Sequence, residues 1–522
     1  MASSKGSVDA TPKPFRGPWE GESKIIIGID VGTTQSGVAF TFLQNGGNQA
    51  IHRVTKWPGQ VVSQSKIPTL VWYDAGKAVS FGAEALLTDI EEEAEDNGWF
   101  LAKHFKLHLH PDDMKAKHDL KLDEYFEDRI LDGKLIWERY SPDMEVVLAH
   151  PNGWGIREQT FLRKVATDAG LSVPEKAQRN IRFLSEAEAS VHFCIHHTNL
   201  GNRLQPGTHF AVCDAGGSTV DTTLYSVVSL HPLLKLEEKR ASACVQAGAI
   251  FVDLEAEGYL RKSLSSVGLN ADEIKDYTKA GMKDFEGGAK RGFQDEIVDQ
   301  HITHILLVGG FGDSPYLREQ FKKRYEPQGS QITRTNDSTS KAVADGAVIW
   351  NIVNSVSSRA PRYSFGVICA RVPHAALEGS ERRRAFMGPH GFPLVPGGVA
   401  LDAEAVCRET YTSVHDKSRP DLSNLSMDIY CYSADDEPVW AWDENDDILP
   451  DFRKSCTISA DLRGLEGALE RRRGRRGNFW SLKIDVCMRF GGTELEAYIE
   501  WKDKGVTRTG PVFVVPGDPI EI

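Results

Sequence analysis

Two glycine- and hydroxyl-rich turns, each preceded by an aspartate, carry the first chemistry in this chain. In residues 25–40, IIIGIDVGTTQSGVAF, an apolar run brings Asp30 to the end of a strand. Gly32, Thr33 and Thr34 then turn the chain before Val38, Phe40 and Phe42 resume an alternating pattern. This is strand, turn, strand, unlike the GxxxxGK[ST] of a Walker loop or a GxGxxG fingerprint, both of which open a helix. The turn suits phosphate: Gly32 permits close backbone approach, consecutive N–H groups form an anion nest, and Thr33 and Thr34 add hydroxyl donors. Asp30 would repel a phosphate, so it implies a divalent cation between the two. Taken alone, the turn is equally an ordinary hairpin.

Residues 209–225, HFAVCDAGGSTVDTTLY, repeat the pattern with Asp214, Gly216, Gly217, Ser218 and Thr219. The repeat predicts two similar lobes whose hairpins face each other across a nucleotide. Asp221 follows as a group able to orient an attacking water or a hydrated cation. A third turn lies in residues 304–316, HILLVGGFGDSPY. There a buried strand ends in Gly309 and Gly310, whose lack of side chains admits a planar base or ribose, and Ser314 as N-cap with Pro315 at N1 opens a helix.

The elements that must position these groups follow from periodicity. Residues 51–72 read as strand interrupted by Pro58 and Pro68, and 83–95 as helix. Lys103 and Lys106 lie in an amphipathic segment that ends in KLHLH; two solvated lysines would look the same. A short strand at 145–149 precedes a helix over 157–171 that ends at Gly170, and IRFLS is a further strand. Ser185 and Glu188 fit a capping box, which puts Glu186 in a first helical turn directly after a strand. There it complements the helix dipole or points into a cleft as a base or metal-water partner. In FEGGAKRGF, Glu286, Lys290 and Arg291 share a helix face, where a surface ion pair would be the plain explanation. KAVADGAVIW supplies small residues for a helix that crosses another at short distance.

A chain of 522 residues should hold two to four domains. With 61 Lys and Arg against 74 Asp and Glu, its charge of −13 argues against nucleic acid as the main partner. Apolar runs are too short for a membrane span, and residues 1–22 are polar, read as a disordered lead-in with no signal-peptide core. The eight cysteines are scattered without a CxxC pair, which suits reduced thiols in the cytoplasm. His104, His108 and His110 lack the further ligand that a zinc site would need.

With its three turns in this order, the chain resembles the ATPase superfamily of actin, sugar kinases and DnaK-type chaperones. It is most similar to a divergent fungal and vertebrate branch of the heat-shock protein 70 family, over about residues 25–366. GIDVGTTQSGVAF matches the first phosphate loop, DAGGSTVD the second, LVGGFGDSPYL the adenosine loop, and SEAEAS and AVADGAV the two connecting segments. The resemblance implies that Asp30 and Asp214 hold Mg2+ through water, and that Gly32, Thr33, Thr34, Gly216, Gly217, Ser218 and Thr219 cradle the phosphates of ATP or ADP. It gives Lys106 to the γ-phosphate, with Lys103 as the alternative, and Glu186 and Asp221 to the attacking water. Glu286, Lys290, Gly309 and Gly310 would enclose the adenosine. Two departures stand out. Only residues 292–303 separate the KR helix from the LVGG strand, so the subdomain roofing the adenine is cut down, and Asp313 replaces a base-stacking arginine, with Phe311 as a substitute.

The implied fold is α/β: a two-lobed actin-like, ribonuclease H-like ATPase followed by a small β-rich C-terminal domain. Its expected divisions are 23–204 for lobe I, 205–340 for a shortened lobe II, 341–360 for a helix returning to lobe I, and 361–522 for the β-rich domain. In the last, residues 479–490 alternate strictly, turn at Gly491-Gly492, and return through 495–501 as a hairpin. RRRGRRG and Arg382 to Arg384 are basic clusters, which leaves a nuclear location open beside the cytoplasmic one. The implied function is an ATP-binding, slowly hydrolysing chaperone-like protein with unfolded peptide and co-chaperones as partners. The alternatives are a non-hydrolysing nucleotide-binding scaffold or sensor and, third, a small-molecule kinase.

Overall fold

The computed structural model describes residues 18–60, 62–111, 141–197, 200–230, 234–265, 269–287, 302–333, 342–367, 399–415, 422, 425–434, 447–460, 469–474, 477–503, 505–511 and 513–516. It is a mixed α/β structure with several sheets, in two compact units. The first unit comprises residues 1–154, 162–237 and 242–356; the second comprises 155–161, 238–241 and 357–522.

The first unit is built around two sheets. One contains β1 (Lys24–Val31), β2 (Gln35–Leu43), β3 (His52–Arg53) and β4 (Lys66–Pro68). A small three-stranded sheet of β5 (Leu70–Asp74), β6 (Lys77–Phe81) and β7 (Phe100–Lys103) follows, with helix α1 (Thr88–Asn97) between its last two strands. β8 (Glu145–His150) and β9 (Ile181–Ser185) complete the first sheet in the order β3-β2-β1-β8-β9, with β4 on β2. Helices α2 (Ile156–Asp168), of which residues 156–161 are counted with the second unit, and α3 (Pro174–Asn180) connect β8 to β9, and α4 (Glu186–His197) leads out of β9.

The second sheet holds β10 (His209–Ala215), β11 (Val220–Ser229), β12 (Lys235–Glu238), β13 (Ala243–Val245), β14 (His304–Val308) and β15 (Gln331–Thr333). Its order includes β15-β14-β10-β11-β12, with β13 on β11. Helices α5 (Ala249–Ser265), α6 (Ala271–Gly287) and α7 (Pro315–Tyr325) accompany it, and α8 (Ala342–Ile352) follows.

The sequence repeat is a topological repeat. β1 pairs antiparallel with β2 and parallel with β8, which pairs parallel with β9. β10 likewise pairs antiparallel with β11 and parallel with β14, which pairs parallel with β15. Asp30 sits opposite Gly37 and beside Ala149, as Asp214 sits opposite Asp221 and beside Val308. Both aspartates therefore stand at the same place, the last turns of a hairpin at the carboxyl ends of parallel strands, where open α/β sheets bind ligands.

Alternation explains β2, whose inward residues Ala39, Thr41 and Leu43 are fully buried, whereas β10 and β14 are buried almost throughout, as strands covered on both faces are. Helix α8 is buried along most of its length, and small residues let it pass closely between neighbours. A Cβ on Gly346 would collide with the Ala189 carbonyl of α4, and one on Gly28 of β1 with the Ala344 carbonyl of α8. The close helix crossing expected from KAVADGAVIW is thus present, clamped between α4 and β1.

Secondary elements match the sequence expectations more closely in kind than in extent. The strand-like region 51–72 contains three short strands, and the helix expected over 83–95 is a 3-10 turn followed by α1. The Ser185 hydroxyl accepts the Glu188 N–H at 3.2 Å, one arm of the expected capping box. Ser314 occupies the N-cap of α7 with Pro315 at N1, but its hydroxyl makes no capping bond.

In the second unit, one sheet has the order Ser364–Gly366, Leu425–Tyr432, Phe452–Ala460, Phe513–Pro516. Another runs Cys407–His415, Gly477–Arg489, Glu496–Asp503, Val506–Pro511, with Glu470–Gly474 on Gly477–Arg489. Residues 485–489 pair antiparallel with 496–500, the return expected after the Gly491-Gly492 turn. Leu482, Ile484, Val486 and Met488 lie in one core with Ile429, Ile458 and Ile499. Arg471 to Arg473 are exposed on a strand, and Arg382 to Arg384 lie outside the described residues.

Candidate functional site

The two glycine turns meet within the first unit. Thr33 Oγ1 and Ser218 Oγ are 2.7 Å apart and both residues are buried. A Cβ on Gly217 would stand 2.8 Å from Thr34 Oγ1, so the absence of a side chain there is what lets the turns approach. Each turn is also closed on itself, since a Cβ on Gly32 would collide with the Gln35 carbonyl and Gly216 N–H donates to the Thr219 carbonyl at 2.9 Å.

The second turn is held from behind by the start of α5. The Gly248, Ala249 and Ile250 N–H groups donate to the carbonyls of Ser218, Gly216 and Gly217 at 2.9, 3.2 and 2.9 Å. A Cβ on Gly248 would collide with the Gly217 and Ser218 backbone. Gly248 is a positioning residue that sequence reasoning missed. Its signal was only a lone glycine before an apolar helix, VQAGAIF.

Beside the turns lie the buried carboxyls of Asp30, Asp214 and Asp221, the half-buried Glu186, and two lysines. Asp214 accepts the Ser190 hydroxyl of α4 at 2.8 Å. Asp221 accepts the Asn152 N–H at 2.8 Å from the loop after β8. Lys106 Nζ meets Glu186 Oε1 at 2.5 Å and lies 5.5 Å above the Trp154 ring. Lys66 Nζ meets Asp30 Oδ2 at 2.7 Å. Lys66 is a second residue missed from the sequence.

Of the two lysines weighed for the phosphate, the structure buries Lys106 beside Glu186 and leaves Lys103 exposed. His104 between them adopts φ of +58°, and this left-handed residue turns the chain from β7 into the 3-10 helix Phe105–Leu109. His110 accepts the Trp154 indole N–H at 3.1 Å.

The third turn packs against the second. Gly309 has φ of +85°, and a Cβ there would collide with the Asp214 carboxylate. Phe311 N–H and Gly312 N–H donate to the Ala215 carbonyl at 2.9 and 3.2 Å. Gly310 is exposed, with open space where a side chain would begin. Phe311, the substitute suggested for the stacking arginine, packs partly buried against Cys213, Ala215 and Leu307. Arg318 Nη2 approaches the Asp313 carboxylate at 3.8 Å. Glu286 belongs to α6, and Lys290 lies outside the described residues.

The charges perturb one another strongly. Burial, reinforced by Glu186, Asp221 and Asp30 against the Ser190 hydrogen bond, pushes Asp214 up to about 7. Burial likewise raises Asp221, against the Cys244, Asn152 and Thr219 hydrogen bonds. Glu186 is raised by burial and by Asp30 and Asp221, with Lys106 opposing. Burial disfavours the Lys106 ammonium, but Glu186, Asp30 and Asp221 together hold its pKa above the ordinary lysine value.

Asp30, Glu186, Asp214 and Asp221 set four carboxyl groups against the two ammonium groups of Lys66 and Lys106 before any phosphate arrives, and burial makes Glu186, Asp214 and Asp221 costly to ionise. Such a deficit suits a divalent cation. Among the described residues, no three His, Cys, Asp or Glu side chains converge as a direct metal site. The buried Asp214 carboxyl, raised by burial and by its acidic neighbours, is chemically suited to a divalent cation. At Asp30, the lysine already occupies one oxygen.

His150, at the end of β8, donates its Nδ1–H to the Pro151 carbonyl at 2.8 Å and stacks on Trp154. Burial pushes its imidazole down to about 4, with Lys106 adding to the effect and the Pro151 and Glu188 interactions opposing it. An unfolded histidine titrates near 6.5, so unfolding takes up a proton between these values. Stability should therefore fall as pH drops from about 6.5 to 4, by about 3 kcal/mol from this group alone. Urea melts of the wild type and His150→Asn at pH 7 and pH 5 check this: the acid loss should be smaller in the variant.

Paired strand-turn-strand units, facing each other over buried carboxylates at the carboxyl ends of parallel strands, are consistent with an actin-like ATPase fold. No protein-family model matches the chain. It is 27% identical to human Heat shock 70 kDa protein 12B over 93% of its own length and 90% of that protein's. It is 23% identical to human Heat shock 70 kDa protein 12A, over 91% and 89% of the two chains, and 24% to its mouse counterpart over the same shares. These homologues support the HSP70-like branch with its actin-like ATPase fold. An alignment of 644 positions with a 522-residue chain also means that the relative carries segments this chain lacks.

Proposed function

We propose that the chain is an ATP-binding, slowly ATP-hydrolysing chaperone-like protein of the heat-shock protein 70 type, working in the cytoplasm, in which nucleotide state closes two lobes. The observation that carries this reading is the contact of the two turns through Thr33 and Ser218, with Asp30, Asp214, Asp221 and the Lys106–Glu186 pair forming one interacting charge cluster at the ends of the same hairpins. In this reading residues 23–204 form one lobe, 205–340 a shortened second lobe, and 341–360 the helix that returns to the first. Residues 361–522 form a β-rich domain that responds to the nucleotide state and takes unfolded peptide.

Hydrolysis here would be positioning and charge neutralisation rather than covalent chemistry. Backbone N–H groups and hydroxyls of the turns at Gly32 to Thr34 and Gly216 to Thr219 bind phosphate oxygens. Lys106, held by Glu186, meets the transferring phosphoryl group, and Asp221, pinned by the Asn152 N–H, orients water with Glu186. Asp214, with Asp30, would hold a magnesium ion, which would supply further positive charge against the phosphates. Gly309, Gly310, Glu286 and Lys290 would enclose the adenosine.

Calorimetry with ATP and magnesium tests the reading. The wild type should bind, and Thr219→Val, which removes one buried hydroxyl, should weaken binding about tenfold. Absence of binding by the wild type would overturn it. A second reading, a nucleotide sensor without hydrolysis, is favoured by the short stretch 292–303 before the third turn. It predicts the same binding with no phosphate release, whereas a chaperone should show an ATPase rate that changes with added unfolded peptide.

A further inference from the structure

The two halves of the repeat diverge at one place. Across the second hairpin Asp214 faces Asp221; across the first, Asp30 faces Gly37, which has no side chain. The space over Gly37 is filled from the next strand. Lys66 pairs with Gly37 in the β2–β4 ladder, and a Cβ on Gly37 would press on Lys66 Cγ at 3.2 Å and stand 3.6 Å from its Cε. The lysine stem thus runs across β2, and its ammonium reaches Asp30 Oδ2 at 2.7 Å. Side-chain exposures of 17% and 5% mark a pair largely shielded from water, so its attraction is only weakly screened.

We propose that Lys66 is a resident cation of the phosphate clamp, neutralising Asp30 so that nucleoside di- and triphosphates bind with little dependence on magnesium. This deepens the nucleotide-binding reading and rests on it. A carboxylate in a charge-assisted bond with an ammonium is a poor partner for the water shell of a second cation. An ammonium has three donors, so Lys66 can keep Asp30 with one and offer another to a phosphate oxygen.

ADP affinity of the full chain, measured by calorimetry in excess magnesium and in EDTA, tests this. Wild type should differ by less than about threefold between the two buffers. Lys66→Met keeps the stem over Gly37 and removes the charge; it should bind about tenfold or more weakly in EDTA while changing far less in magnesium. Lys66→Gln provides the same comparison if the methionine variant does not fold. A wild type that loses about thirtyfold or more in EDTA, or variants with the wild-type ratio between buffers, would overturn the role of Lys66. Absence of ADP binding by the wild type in either buffer is a different result, which overturns the nucleotide reading itself.

Discussion

Asp214→Asn is expected to remove nearly all magnesium-dependent ATP turnover while making the nucleotide-free protein more stable. The two effects have one cause. Asp214 is buried among Glu186, Asp221 and Asp30, and its carboxyl is pushed from the ordinary 3.8 up to about 7. A carboxylate that is harder to ionise when folded stabilises nothing at neutral pH. Its contribution to stability is intact below the unfolded value and is lost as pH rises through the window from about 4 to 7. An amide of the same shape still takes the Ser190 hydroxyl and carries no charge, so the fold should gain about 2 to 4 kcal/mol at pH 8. The same change removes the group best placed to hold a hydrated cation against phosphate, and turnover should drop by about a thousandfold. Phosphate release and urea melts at pH 8 on one preparation check both signs. Unchanged turnover would take Asp214 out of the mechanism, and a loss of stability would show that its charge is already compensated in the free protein.

What could be read from the sequence was what the chain encodes locally. A strand, a glycine turn and a second strand are neighbours along the chain, so IIIGIDVGTTQSGVAF and HFAVCDAGGSTVDTTLY announced both hairpins and the aspartates at their ends. Strict alternation likewise announced the hairpin that starts at residue 479. Groups whose place depends on a distant element could not be read that way. Lys66 reaches Asp30 only because β4 lies against β2 opposite a glycine, and nothing near KIPTL signals that partner. The choice between Lys103 and Lys106 turns on one left-handed residue, His104, which no spacing rule anticipates. Gly248 is required by the backbone of a turn some thirty residues earlier in the chain, and the packing of the partly buried Phe311 on Cys213 and Leu307 depends on strands that its own turn does not announce.

Gly346→Val should destabilise the protein by about 3 kcal/mol or more, and Gly346→Ala by a smaller but measurable amount. An exposed helical glycine replaced by alanine normally gains stability, by about 1 kcal/mol from propensity. Here the sign reverses, because a Cβ at 346 would collide with the Ala189 carbonyl of α4, and backbone cannot step aside as a side chain does. Nor can α8 retreat: its Ala344 carbonyl already lies where a Cβ on Gly28 of β1 would be. Opening the crossing must move α4, which carries both Glu186 and Ser190. Those side chains hold Lys106 at 2.5 Å and Asp214 at 2.8 Å, so a shift of about 1 Å is enough to break either contact. The folded fraction of Gly346→Ala should therefore bind ATP with nearly wild-type affinity through the turns, which α4 does not carry, yet hydrolyse it far more slowly. Urea melts give the stability change, and calorimetry beside phosphate release gives the split. Equal losses in binding and hydrolysis would mean that the crossing supports the fold as a whole rather than aligning the Lys106–Glu186 pair.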